Sequence, residues 1–252
     1  MGIKKTITRW WHQLSSPYYF DKIARVAAPW CWGVALILLA IGIFWGLFIA
    51  PADYQQKDAY RIIFIHVPVS AMSMGVYVSM AIASVVYFVW HIKLAAYFCR
   101  SLAILGMTFT ALALFTGAVW GKPMWGTYWS WGDARLLSEL ILLFLYLGYI
   151  GLVSAIEQEE LADKIGSILL VIGVINIPII HYSVTWWNSL HQGATVLKLG
   201  KPAMSTDMLI PLLICLAAFT FFTAAYAFTS VRAKIIEAKN EKILLSQLHS
   251  QK

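Results

Sequence analysis

Histidine is the residue type in this chain best suited to chemistry, and three of its six fall on the half of the chain expected to face outward. His66 lies in Ile65-His66-Val67-Pro68, about one turn inside the start of an apolar run. His181 lies in Ile180-His181-Tyr182-Ser183, between one and two turns from the end of another. His191 stands in the polar loop that follows, in Leu190-His191-Gln192-Gly193. At 1.5 Å per residue, His66 is expected ~6 Å below its helix start and His181 ~9 Å from its helix end. Those depths match and fall in the same leaflet, where an ionisable group defaults to function. His12, His91 and His249 fall in tails or at a helix end and are expected to be solvated or interfacial.

The second constellation is the stretch 120–135, WGKPMWGTYWSWGDAR. It holds four of the twelve tryptophans, Trp120, Trp125, Trp129 and Trp131, together with Tyr128. Gly121, Gly126, Gly132 and Pro123 break it, and Lys122, Asp133 and Arg135 give it charge. Such a stretch is expected to lie as a loop at the membrane surface, a shelf of flat rings. An interfacial aromatic belt explains tryptophans, but it does not require glycines that permit close approach.

Two neutral imidazoles at one depth can share a metal. Zinc would want further protein ligands, and no third His or Cys shares the depth of His66 and His181. Iron in a porphyrin needs only two axial ligands, because the macrocycle fills the other positions. Tryptophan rings suit the faces and edges of such a ring, and Arg61, Lys122 and Arg135 could pair with its propionates. Glu139, four residues after Arg135, is expected to be its partner at helical spacing. Pro68 and Pro178, close to His66 and His181, are expected to shape helix ends or kinks and to free backbone groups there. The three cysteines, Cys31, Cys99 and Cys215, have no metal-type spacing and are expected to be small buried hydrophobes.

The elements that must position these residues are membrane helices. The 252-residue chain is 60% hydrophobic and only 12% charged, half the charge of an ordinary soluble domain at roughly 25%. Apolar runs occupy about 27–50, 62–90, 101–119, 136–156, 165–187 and 208–230. Backbone groups in lipid must be satisfied internally, so these are expected to be six helices of an all-α polytopic bundle, forming one domain over 1–252. The first run begins near Ala27, too late and too long for a signal-peptide core. Residues 1–26, basic and aromatic, are expected to lie on the headgroups, and 231–252 to form a helix with one apolar side. The net charge of +7 reads as positive-inside bias rather than nucleic-acid binding. With the N-terminus inside, 13 Lys and Arg fall on inner segments against six on outer loops, which places both termini in the cytoplasm and the Trp-rich stretch outside.

The words around these residues carry a resemblance. Trp125 to Trp131, WGTYWSW, followed by Asp133, resembles the tryptophan-rich "WWD" signature of the haem-handling membrane proteins of cytochrome c biogenesis. APADYQQ (50–56), YRIIFIHVP (60–68), WGKPMWGT (120–127), LLFLYLG (142–148) and PIIHYSVTWWNSLHQG (178–193) resemble the haem-exporter branch of that family. The resemblance implies a multi-pass protein of the bacterial inner membrane that holds haem b at the periplasmic face. It implies His66 and His181 as axial ligands, with the Trp-rich loop against the haem. It also implies delivery to a periplasmic haem chaperone, in a complex with the ATPase and membrane subunits of an ABC transporter and a small single-span protein. The family signature runs Trp-x-Trp-Asp, whereas Gly132 here separates Trp131 from Asp133. In a helix that extra residue would turn Asp133 and Arg135 by ~100°; in a loop it could be absorbed.

No acid–base or nucleophile set stands apart from the haem residues, so the chain reads as a binding and delivery module, not an enzyme. A different class of reading is a proton-coupled small-molecule permease using the histidines and Glu139. Against it, the inner halves of the second, fourth and fifth runs lack ionisable groups.

Overall fold

A computed structural model describes residues 15–187, 189–191, 193 and 204–250, apart from the side chains of 245 and 248–250. The expectations for Trp10, Trp11 and His12 in the tail, for Lys198 and Lys201 in the loop, and for the His249 side chain lie outside the described residues. The described residues are helical, with no strand beyond an isolated bridge between Asp53 and Lys57. The helices are α1 (Pro17–Phe44), α2 (Ile63–Trp90), α3 (Lys93–Trp125), α4 (Ala134–Ala155), α5 (Glu159–Gly173), α6 (Asn176–Trp186) and α7 (Thr206–Ser250). A π turn (Trp45–Ile49) extends α1 and a 3-10 turn (Asp58–Ile62) leads into α2. With these extensions, and with α5 and α6 in line, six segments are long and apolar enough to cross a membrane.

The packing follows from which faces are apolar on both sides. α2, α3 and α4 form the centre, where Tyr77, Met80, Leu102, Leu142 and Tyr146 are buried. α5 closes on α2 and α4, while α6 packs mainly on α4. α7 crosses α2 and α3 and pairs along its length with α1. α1 then turns Trp30, Ile37, Phe44 and Phe48 outward, an apolar face that only lipid or a partner would tolerate. Cys99 and Cys215 are buried as expected, whereas Cys31 is partly exposed, and all three are free.

Several boundaries differ from the sequence expectation, each for a local reason. Residues 17–26 are not a separate interfacial segment; Pro17 opens α1, where its missing N–H costs nothing. α3 runs on through Trp125, so the first six residues of the expected Trp-rich loop are helix. It stops at Gly126, whose φ of 77° is left-handed and whose N–H returns to the Lys122 carbonyl. The fifth span is two helices, because Pro178 offers no N–H to the Val174 carbonyl, which is served instead by Ile177. The last span and the charged tail are one 45-residue helix, roughly 68 Å at 1.5 Å per residue, well beyond a hydrocarbon core of ~30 Å. Residue 91, expected only to be solvated, is exposed and is also the left-handed cap (φ 54°) that turns α2 into α3.

Candidate functional site

The ends of α2, α3, α4 and α6 that share one side of the bundle enclose a cavity of about 30 Å³. His66, Gly117, Arg135, Glu139, Ile180 and His191 are among its lining residues. His66 therefore meets a histidine partner, but the partner is His191. His181 does not line the cavity. Ile180 is buried and faces it, and one further residue turns ~100° around α6, so His181 is exposed on the outer side. Depth matched His66 to His181; helical phase separates them.

Each cavity histidine is fixed through Nδ1. His66 Nδ1 lies 2.9 Å from Thr116 Oγ1. The single proton of that hydroxyl already points along α3, to the Leu112 carbonyl at 2.7 Å. His66 must therefore donate from Nδ1, which leaves Nε2 as a lone pair. The Trp120 ring stands edge-on to it at 5.6 Å, held by its own Nε1 bond of 3.0 Å to Gln56. Gly117 leaves the room: a Cβ there would come within 3.1 Å of His66 Cε1.

The second histidine is held by Asp133. Its Oδ1 caps α4, accepting from the backbone N–H groups of Arg135 and Leu136, both at 3.0 Å. Its Oδ2 accepts from Ser189 Oγ and from the Leu190 N–H, both at 2.8 Å. His191 Nδ1 faces Asp133 Oδ1 at 3.4 Å and Ser189 Oγ at 3.3 Å. With the Ser189 proton given to Asp133, Nδ1 of His191 is again the protonated nitrogen and Nε2 the lone pair. The Trp125 ring packs on this imidazole at 4.7 Å. Burial, helped by Arg135, holds the His191 pKa below its ordinary value against the pull of Asp133, which favours the neutral imidazole. Burial raises the Asp133 carboxyl, but hydrogen bonds from Leu136, Leu190 and Ser189 outweigh it and leave the group below its usual range. The extra Gly132 is absorbed in a turn with open space at its Cβ position. Asp133, expected among the ligand-binding residues, is buried and spends its oxygens on the chain; it positions His191.

The remaining expected residues divide between engaged and available. Arg61 is committed to the Gly46 carbonyl and to Asp58, both at 2.9 Å. Lys122 donates to the Gly126 carbonyl and lies over the Tyr128 ring. Arg135 lines the cavity without a salt bridge among the described residues. Its expected pairing with Glu139 is replaced by a 2.9 Å bond from Ser73 Oγ to Glu139. Tyr128 and Trp131 are exposed. Trp129 packs on Trp131 and keeps a buried Nε1 donor with no partner among the described residues. No three His, Cys, Asp or Glu cluster for a bare ion among the described residues. A metal held by the two histidines would have to bring its other ligands with it.

Sequence reasoning gave His191 no role and did not name the oxygens that orient the imidazoles, Thr116 and Ser189. The available signal was proximity: Ser189 and His191 follow Trp187 within four residues, at the same end as the Trp-rich stretch.

Known proteins resemble this chain over nearly its whole length. The family CcmC, Heme exporter protein C, matches residues 10–246. The Heme exporter protein C of Haemophilus influenzae is 48% identical over 227 residues, covering 90% of this chain and 91% of that one. Its counterpart in Escherichia coli K12 is 44% identical over 238 residues, covering 94% and 95%. A ccmC-like mitochondrial protein of Marchantia polymorpha, named for cytochrome c biosynthesis, is 40% identical over 227 residues, covering 88% and 94%.

Proposed function

This chain belongs to the haem exporter protein C family, and on that premise we propose that it receives haem b as cargo between His66 and His191 and passes it on for cytochrome c maturation. The observation that carries the reading is that both imidazoles line one cavity with Nδ1 engaged, so that Nε2 is the nitrogen each can offer. Iron in a porphyrin needs two such nitrogens and no more. An Nδ1–H donated to an oxygen also fixes ring orientation and raises ligand basicity. Arg135, in the cavity, is the anchor for a propionate, and the Trp129–Trp131 edge with Tyr128 offers the rings beside it.

The cavity of about 30 Å³ holds one water rather than a macrocycle, since sites for drug-sized ligands run to roughly 300–1,000 Å³. Loading therefore requires the segment carrying His191 to part from α2. The excess of Lys and Arg on the opposite side supports placing this site at the periplasmic face of the bacterial inner membrane. From there the cargo goes to a periplasmic haem chaperone. An ABC-transporter pair and a small single-span protein supply the energy and the assembly that this chain, a transport component, does not.

The test is spectroscopic. The full chain in lipid nanodiscs, given haemin, should show the low-spin spectrum of bis-imidazole iron. His66→Ala and His191→Ala should each abolish it. A wild-type low-spin spectrum in both single variants would defeat the reading.

A further inference from the structure

His181 has no part in that pair, yet it is a histidine at the same end of the bundle. Its imidazole is exposed and has no hydrogen bond among the described residues; its ring contact is Tyr182, edge-on at 4.8 Å. Tyr182 in turn stacks on Trp186, with centroids 5.3 Å apart and planes 25° from parallel. Both rings are about half exposed, at 47% and 57%. A free imidazole thus stands beside two open aromatic faces. α6 packs mainly on α4, so among the described residues the outer side of α6 is left uncovered.

The same helix joins this surface to the cavity. Ile180 lines the cavity from one side of α6, and His181 marks the other. The cavity is far smaller than a macrocycle, so an arriving ring must rest outside before His191 parts from α2. An interfacial belt needs Trp and Tyr alone, whereas an imidazole at this depth is costly without a ligand to bind.

We propose that His181, Tyr182 and Trp186 form an outer receiving site for a metalloporphyrin, holding its iron by one imidazole until the ring passes to His66 and His191. The proposal rests on the haem reading above. The transfer exchanges one imidazole nitrogen for others on iron. It breaks the bond to His181, makes those to His66 and His191, and changes neither the iron oxidation state nor any proton count.

The experiment follows haemin transfer from liposomes to the full chain in nanodiscs by stopped-flow absorbance. His181→Ala should reach the wild-type low-spin spectrum at equilibrium but load about tenfold more slowly. Trp186→Leu should slow loading in the same way. The double variant His66→Ala/His191→Ala should keep a weak high-spin haem signal that a third change, His181→Ala, removes. Wild-type loading in His181→Ala, or an undiminished signal in the triple variant, overturns the proposal and leaves an aromatic belt. If His181→Ala instead loses the low-spin spectrum at equilibrium while His191→Ala keeps it, His181 is a final ligand. In that case the His66–His191 reading fails as well.

Discussion

His66 and His191 face one cavity but are held in opposite ways. His66 stands in the second turn of a 28-residue helix, and its brace, Thr116, lies on the neighbouring helix α3. Carrying it away from that brace would mean parting two helices of the core. His191 lies beyond the end of α6, and its position depends on one carboxylate that grips Ser189 and Leu190 while capping α4. The first imidazole is fixed by packing and the second by a staple. Under the proposed function this asymmetry suits a carrier that must release its cargo, because one side can open while the other keeps register.

The comparison breaks first at Asp133. Asp133→Ala removes the α4 cap, worth ~1 kcal/mol, and the Ser189 and Leu190 acceptors, worth ~1 kcal/mol each. Haem affinity should fall by about 10–100-fold, the range for loss of an orienting partner, as read by titration with haemin. Thr116→Val removes a single brace from a ring still enclosed by α3 and Trp120. Its affinity loss should be at the low end, about tenfold. If Thr116→Val proves as damaging as Asp133→Ala, the contrast between packed and stapled ligands is wrong.

Three smaller effects sharpen it. Gly117→Ala puts a methyl 3.1 Å from His66, so the ring must tilt. The low-spin band should shift and affinity drop a few-fold, with little change in thermal stability. The staple also has a pH signature. The Asp133 carboxyl is lower in the folded chain than in the unfolded one, so its contribution is complete above the ordinary carboxylate value and lost only as pH falls through the lowered one. Hydrogen exchange at the Leu190 amide should show constant protection, after correction for intrinsic rates, from neutral pH into the acid range. Loss of protection above the carboxylate range would show that His191, not Asp133, holds the segment. The smallest effect belongs to Gly132→Ala, where the space is open and φ is not left-handed; stability should change by less than about 0.5 kcal/mol.

Much of the fold was legible because lipid simplifies the problem. Long apolar runs with few charges have one outcome, and six of them were visible. The boundaries were less legible, since a helix ends where a cap or a proline decides. Residues 120–125 look loop-like by composition yet continue α3, because nothing before Gly126 supplies a left-handed stop. The Trp-rich stretch and His66 were legible as candidate residues at one end of the bundle from type and depth.

The sequence by itself determined that this chain is a membrane helix bundle with a tryptophan-rich end and histidines beside it, because hydropathy and residue type are local properties. Only the tertiary structure decided which histidine faces His66. Depth in the bilayer follows from counting residues along a helix, but facing depends on the helix phase that α4 imposes on α6. It depends as well on the Asp133 staple, which joins α4 to residues more than fifty positions away and which no spacing in the chain encodes.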